Sequence, residues 1–235
     1  MTRHGEPADL QILRFPAPWG GLVACTHKGL VRKGNEDRFG ASPDGRTFAV
    51  ADGMGGHDGG ELAAEAAVAA ATADASFPGT RANVVVSAAI ERAQRAVAPL
   101  TVGKVGARAP GCTLVVAHLD PRARSVRIGW VGDSRAYLWD GTLVQITRDH
   151  AFAGQLTQAI GGSLEPTSGS AVTESLVLSQ WLLVCTDGLH GFVDDAAIAE
   201  ALRSHSRDTA LRRLVGAAFA RGAPDNITCV IARVG

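Results

Sequence analysis

The feature that most constrains this chain is the order of its elements. Seven short strand-like runs are broken by helical stretches gathered in groups, not by one helix after each strand. The runs fall at residues 21–26, 46–51, 112–119, 124–131, 135–139, 181–186 and 227–233, each rich in β-branched or aromatic residues. In the fourth, Val126, Ile128 and Trp130 alternate with Ser125, Arg127 and Gly129, the period of two that buries one side of a sheet. Two long helical stretches follow the second run. One extends from Gly60 to about Ser76 and is Ala-rich, with Glu61 and Glu65 near its start, where carboxylates suit the helix dipole. The other carries Val86, Ile90, Ala93, Val97 and Leu100 at spacings of three and four. Two shorter helices are expected after residues 181–186, the last with Leu211, Leu214, Val215, Ala218 and Phe219 along one face. Helices paired in this way favour an α+β fold over a doubly wound sheet: two antiparallel sheets face to face, with helices outside. Residues 1–20 hold three prolines and no clear period, so they read as an irregular lead-in to a single domain over 21–235.

Composition removes several classes of function. The 235 residues carry 23 Lys and Arg against 23 Asp and Glu, so the net charge is zero and no basic block exists to displace counterions from nucleic acid. Cys25, Cys112, Cys185 and Cys229 are irregularly spaced within apolar stretches, which reads as buried free thiols, not as a zinc or redox motif. The N-terminus lacks a signal-peptide layout and no run of about 18 apolar residues occurs, so a cytoplasmic, soluble protein with no membrane partner is expected. A monomer is expected. A chain of this length needs no metal to hold its fold, so any metal would serve chemistry.

Aspartate recurs where apolar runs stop. FAVADG ends in Asp52-Gly53, WVGDS places Asp133, LLVCTDG ends in Asp187-Gly188, and APDNIT sets Asp225 just before the last run. One Asp-Gly is an ordinary turn. Four such sites require another account. Strand ends of layered sheets can open at one edge, and carboxylates that converge there repel unless a cation neutralises them. With oxygen ligands and no His or Cys at ligand spacing, Mg2+ or Mn2+ is favoured over Zn2+. Upstream, GLVRKGNEDRFG adds Glu36 and Asp37 for metal waters and Arg32 as a fork for an anion. The glycine-rich 53–60 segment lacks the lysine of a nucleotide loop, no Asp is paired as in aspartyl-phosphate phosphatases, and nothing repeats like a Ca2+ loop.

Seven phrases in order, GLVRKGNEDRFG, FAVADGMGGHDGGELAAE, GCTLVVAHL, GWVGDSRAYL, ITRDH, LLVCTDGLHGFV and GAPDNITCVIARV, resemble the metal-dependent serine/threonine phosphatases of the protein phosphatase 2C family, in their bacterial single-domain form. The resemblance implies a four-layer αββα sandwich, two central antiparallel sheets flanked by pairs of helices. It implies two Mn2+ or Mg2+ ions with a weaker third, bridged by Asp52. The Gly53 carbonyl would sit on one ion, and Asp187 with Asp225 on the other. Glu36 and Asp37 would act through metal waters, Asn226 completes the family's Asp-Asn pair, Arg32 would bind substrate phosphate, and Asp133 with Asp187 would hold the third ion. The implied reaction is hydrolysis of phosphoserine and phosphothreonine by a metal-bridging water without a covalent intermediate. The implied partners are phosphorylated proteins, above all a bacterial Ser/Thr kinase and its substrates. The alternative is a catalytically weak phosphoprotein-binding regulatory module of the same fold.

Two departures stand out. Met54 follows the first Asp-Gly where some members carry a His proton donor, and His57 is a weaker substitute in a glycine-rich turn. Asp149-His150 leads through AFAGQ straight to LTQAIGG, so the family's flap is shortened to about residues 150–160, and Gln158 stands where arginine is usual. A short flap implies an open site, with high activity on small aryl phosphates relative to structured phosphoproteins.

Overall fold

Strands that read as continuous apolar runs have both faces to bury, and this chain meets that need by stacking layers. A computed structural model describes residues 5–17, 19–55, 59–73, 82–104, 106, 109–162, 171–172, 176–177 and 181–233. Strands β1 (Leu13–Phe15), β2 (Leu22–His27), β3 (Arg38–Ala41), β4 (Thr47–Ala51) and β5 (Gly53–Met54) precede helices α1 (Gly59–Thr72) and α2 (Ala82–Thr101). Then come β6 (Gly111–Cys112), β7 (Leu114–Asp120), β8 (Ser125–Val131), β9 (Arg135–Trp139) and β10 (Leu143–Gln145). The short strands β11 (Ala151–Phe152), β12 (Gln155–Leu156), β13 (Ile160–Gly161), β14 (Ala171–Val172) and β15 (Leu176–Val177) lead to β16 (Trp181–Cys185). Helices α3 (Asp187–His190), α4 (Asp195–Leu202) and α5 (Arg207–Phe219) and strand β17 (Ile227–Arg233) complete the chain.

One six-stranded sheet runs β1-β2-β17-β16-β9-β10 and the other β14-β8-β7-β4-β3 with β15 also on β8. Every pairing is antiparallel. The period of two sorts each strand between layers. On β17, Val230 and Ala232 enter the core between the sheets, while Cys229 and Ile231 face α3, α4 and α5. On β4, Phe48 and Val50 enter the same central core, while Ala49 and Ala51 meet α1 and α2. Three apolar layers therefore separate helices, sheet, sheet and helices, the expected α+β sandwich. Leu211, Leu214, Val215, Ala218 and Phe219 of α5 are all buried, as their spacing predicts.

The differences from the sequence reading are local. The lead-in contains β1, paired with β2, and it is tied to α5 by Arg212 Nη1 donating to Glu6 Oε1 at 3.2 Å. The run at 112–119 divides at Thr113, because Asp52 and Thr113 bond each other: Thr113 N–H donates to Asp52 O at 2.9 Å, and Asp52 N–H donates to Thr113 Oγ1 at 3.0 Å. Beyond that point β6 leaves the large sheet and joins β13 and β5. A third helix, α3, appears after β16 where two were expected, and Asp187 is its first residue. Among the described residues, no helix is long and apolar enough to cross a membrane.

Candidate active site

Antiparallel order sends β4, β8 and β16 out of their sheets toward the same edge at which β17 enters. Asp52, Asp133, Asp187 and Asp225 occupy those four junctions, and all four line one cavity of about 420 Å³. Arg32, Glu36 and Gly53 line it as well, joined by Met54, Gly55, Thr113 and Leu156. Residues from across the whole sequence are thus neighbours here. Asp37 and Asn226 are not on the wall. They lie just behind it, both buried.

The close approach of β17 to α3 depends on a glycine. A Cβ on Gly188 would sit 1.7 Å from the Asn226 carbonyl oxygen, so only glycine lets Asp187 and Asp225 stand side by side. Asn226 then organises the loop before β3. Its Nδ2 donates to Lys28 O and Gly34 O, both at 2.9 Å, and its Oδ1 accepts from Glu36 N–H at 2.8 Å. Gly29, at φ 77°, fits under the same turn, where a Cβ would lie 2.2 Å from Asp225 O.

A row of threonine hydroxyls supports Asp37. Thr186 Oγ1 donates to Asp37 Oδ2 at 2.8 Å, and the Thr228 hydroxyl also bonds the carboxylate. Thr228 Oγ1 pairs with Thr26 Oγ1 at 2.7 Å, and Asn35 Nδ2 donates to Thr26 Oγ1 at 2.8 Å. Even so, burial outweighs these bonds and pushes the Asp37 carboxyl up to about 7. Burial likewise raises Asp52 well above the carboxylate range, with the Asp37 and Asp187 charges adding to it. Asp187 is raised by burial, although a hydrogen bond from Asp52 acts in the other direction. Burial, then the Asp187 charge, brings Asp133 to about 6.

The Asp133 turn is held from several sides. His190 Nε2–H donates to Asp133 O at 3.0 Å, and His150 Nδ1 accepts from Gly132 N–H at 3.2 Å. Ser134 Oγ bonds Thr113 Oγ1 at 2.7 Å, linking this turn to Asp52. Arg135 grips Asp149 with Nε and Nη2, which gives the Asp-His of ITRDH a bracing role. The sequence reading missed Thr26, Thr113, Thr186, Thr228, Ser134 and His190. Its one usable signal was a hydroxyl directly after an apolar run, as in VACT and LLVCT. His57 lies outside the described residues. Gln158 is half-buried, its Oε1 without a hydrogen-bond partner, and it does not line the cavity.

The carboxylates suit a divalent cation. Asp187 Oδ1 and Asp37 Oδ1 are buried without hydrogen-bond partners, and the donors on the wall are oxygens of the hard kind that Mg2+ and Mn2+ take. As they stand, no three His, Cys, Asp or Glu side chains among the described residues close around one ion-sized point. Asp225 Oδ2 instead accepts from Arg32 Nη2 at 2.7 Å, and Asp52 shares a hydrogen bond with Asp187. A guanidinium and a proton thus offset part of the negative charge. The orphaned oxygens and the donor chemistry weigh more for a cation than the side-chain spacing weighs against it, because carboxylate rotamers adjust at little cost.

Known proteins resemble this chain in sequence and fold. A family described as Protein phosphatase 2C matches residues 25–220. The serine/threonine protein phosphatase PstP of Mycobacterium tuberculosis is 33% identical over 232 residues, which is 90% of this chain and 44% of PstP, so this chain spans less than half of that relative. The serine/threonine phosphatase stp of Listeria innocua is 28% identical, covering 88% of this chain and 92% of stp. The solved catalytic domain of PstP in complex with two manganese ions superposes with a TM-score of 0.77 at 30% identity, over 95% of this chain and 99% of that one. With seven phrases in family order, the layered fold and the acid-lined edge all agreeing, the chain belongs to the protein phosphatase 2C family.

Proposed function

We propose that this cavity hydrolyses phosphoserine and phosphothreonine in proteins with the help of divalent cations, and that it reverses the action of a bacterial Ser/Thr kinase. The observation that carries this reading is the convergence of Asp52, Asp133, Asp187 and Asp225 beside Arg32 on one wall. Asp52, the Gly53 carbonyl, Asp187 and Asp225 would hold two ions, Mn2+ or Mg2+, and Asp133 with Asp187 a weaker third. Bound there, the ions lower the pKa of a water toward neutrality and offset charge on the phosphoryl oxygens.

The chain's own groups do the rest. Asp52 and Asp187, both raised by burial, would have to be deprotonated to hold ions, which would make loading weaker at low pH. Arg32, exposed over most of its length at the rim, turns its guanidinium from Asp225 to the substrate phosphate, where two N–H groups can bind two oxygens. Glu36 and Asp37 hold the hydration of the site, and Asn226 keeps their loop in place. Among the described residues lining the cavity there is no Ser, Cys or His, and the Thr113 hydroxyl is committed to Asp52 N–H and Ser134. This supports attack by water without a covalent enzyme intermediate, the wall carboxylates being engaged in holding the ions. Met54 holds no transferable proton, so the leaving alkoxide would take its proton from a water at the third-ion position or from His57.

The hairpin β11–β12, turned through Ala153 at φ 51° and Gly154 at φ 77°, is all that stands between His150 and the return to β13. A site bordered by so short a flap admits small aryl phosphates readily. The test is phosphate release from a phosphothreonine peptide with Mn2+, with Mg2+ and with EDTA, beside an Asp187→Ala control. Metal-dependent turnover lost in the control is expected. Binding of the peptide without turnover under either metal would favour the regulatory module instead.

A further inference from the structure

The loop that carries Arg32 into the cavity also presents two aliphatic side chains to solvent beside it. Leu30 is 60% exposed and Val31 69% exposed, consecutive in sequence and next to the residue that reaches the phosphate position. Single exposed aliphatics are ordinary, but a fixed adjacent pair on the rim of a cleft is not. This pair is fixed. One side chain, Asn226, ties both ends of the loop through Lys28 O and Gly34 O, and Leu30 N–H donates to Ala223 O at 2.8 Å. Gly29 N–H donates to His27 Nδ1 at 2.9 Å, which closes the entry to the turn. The loop therefore does not fold its aliphatics inward, and a partner that covers them has little loop entropy to offset.

We propose that Leu30 and Val31 form a rigid lip that reads the residue next to the phosphorylated Ser or Thr, and that it selects segments with an aliphatic side chain at that position. The inference rests on the phosphatase reading above and names its substrate class. A phosphate delivered to Arg32 places the neighbouring residue of an extended peptide, one Cα step of about 3.8 Å away, over the residues next to Arg32. Leu156 of the β12 strand also lines the cavity and adds an apolar side chain to its wall, whereas Phe152, paired with Gln155, lies on the other face of that hairpin. Exposed Lys28 and Lys33 flank the lip and discriminate against segments with basic neighbours. The occupant that fits is an extended phosphopeptide with Leu, Ile or Val adjacent to the phosphoresidue and no basic residue beside it.

The experiment compares two phosphothreonine peptides that differ only in Leu or Ser on both sides of the phosphoresidue. It also measures p-nitrophenyl phosphate, which has no flanking residues, and uses wild type and a Leu30→Ser, Val31→Ser double variant with Mn2+. Wild type is expected to favour the Leu peptide by about tenfold in kcat/KM, mostly through KM, as burial of one aliphatic side chain implies. The variant is expected to lose that preference and to keep its turnover of the aryl phosphate. Equal rates on the two peptides with wild type, or a preference that survives in the variant, would overturn the lip. So would loss of aryl phosphate turnover in the variant, because the two side chains would then serve the site's structure. Failure of wild type to hydrolyse the aryl phosphate at all would instead strike the phosphatase reading.

Discussion

Replacing Asp37 with Asn should change how stability depends on pH more than it changes stability itself. The Asp37 carboxyl is pushed from 3.8 up to about 7 by burial, so between those values the folded state holds a proton that the unfolded chain has released. Stability therefore falls as pH rises through this window, by about 1.4 kcal/mol per pH unit. The slope flattens as pH nears the folded value, so from pH 5 to 7 the loss reaches about 2 kcal/mol, or about 4–8 °C in melting temperature for a chain of this size. His190 acts in the opposite direction. Burial lowers its pKa to about 4, so the unfolded chain takes up a proton below about 6.5 that the folded state refuses, and stability rises with pH across 4 to 6.5. The wild-type curve also carries the raised Asp52, Asp133 and Asp187 carboxyls, so the difference between wild type and Asp37→Asn is the readout; it reports Asp37 together with the relief that its lost charge gives Asp52. Thermal melts of both proteins in EDTA, from pH 5 to 8, should show wild type losing those degrees relative to the variant. Parallel curves would refute the argument, because they would mean that Asp37 is ionised in the fold at pH 5. Added Mn2+ should raise the wild-type melting temperature more at pH 7.5 than at pH 5.5, since protons compete with the ion for Asp52 and Asp187.

Three further substitutions probe the site. Gly188→Ala drives a Cβ to within 1.7 Å of Asn226 O, and neither backbone can yield without moving Asp187 or Asp225. Urea unfolding should show a loss of about 3 kcal/mol or more, and an unchanged midpoint would contradict the packing. Arg32→Ala should raise KM for a phosphothreonine peptide about tenfold with a smaller effect on kcat, if the guanidinium binds ground state and transition state alike; steady-state kinetics in which kcat alone falls would reassign it. Replacing the Ala153–Gly154 turn with a flap of about twenty residues should lower the ratio of aryl phosphate to phosphoprotein turnover. An unchanged ratio, measured side by side, would separate the short hairpin from substrate choice.

The long strands and helices were legible because their information is local. A strand such as β17, buried on both faces, must be apolar nearly throughout, and a helix such as α5 shows its stripe whatever it packs on. The short strands β3, β5, β6 and β10 to β15 were not, since each has two to four residues and is defined by the partner that bonds it. The aspartates were legible for a related reason: an acid at the stop of an apolar run is conspicuous in one dimension. Asn226 was found as the neighbour of Asp225, but its work as a tie between Lys28, Gly34 and Glu36 depends on two loops meeting. The cysteines teach the same lesson. Their spacing looks irregular, yet Cys25 and Cys185 both stand opposite Cys229 in register, a single row across β2, β17 and β16. Sequence distance holds no record of cross-strand distance.

That row shows how the fold tolerates so many acids at one edge. Moving along the same three strands toward the site, the thiol row on the helix side gives way at the next position to Thr26, Thr228 and Thr186. Carboxylates follow: Asp187 directly after Thr186, and Asp225 three residues before Thr228. Polarity thus rises from thiol to hydroxyl to carboxylate over a few residues, and each layer bonds or shields the next. Thr186 shows why the order matters. It precedes α3 in the N-cap position, yet its side chain makes no cap bond, because the hydroxyl donates to Asp37 and accepts from Thr228 N–H. A cap is typically worth about 1 kcal/mol, whereas a buried carboxylate left without donors costs several times that. The need of the carboxylate therefore decides where the hydroxyl points. The first turn of α3 gives up a cap so that the ground beneath Asp52 and Asp187 stays hydrogen-bonded, and local helix stability yields to the electrostatics of the site.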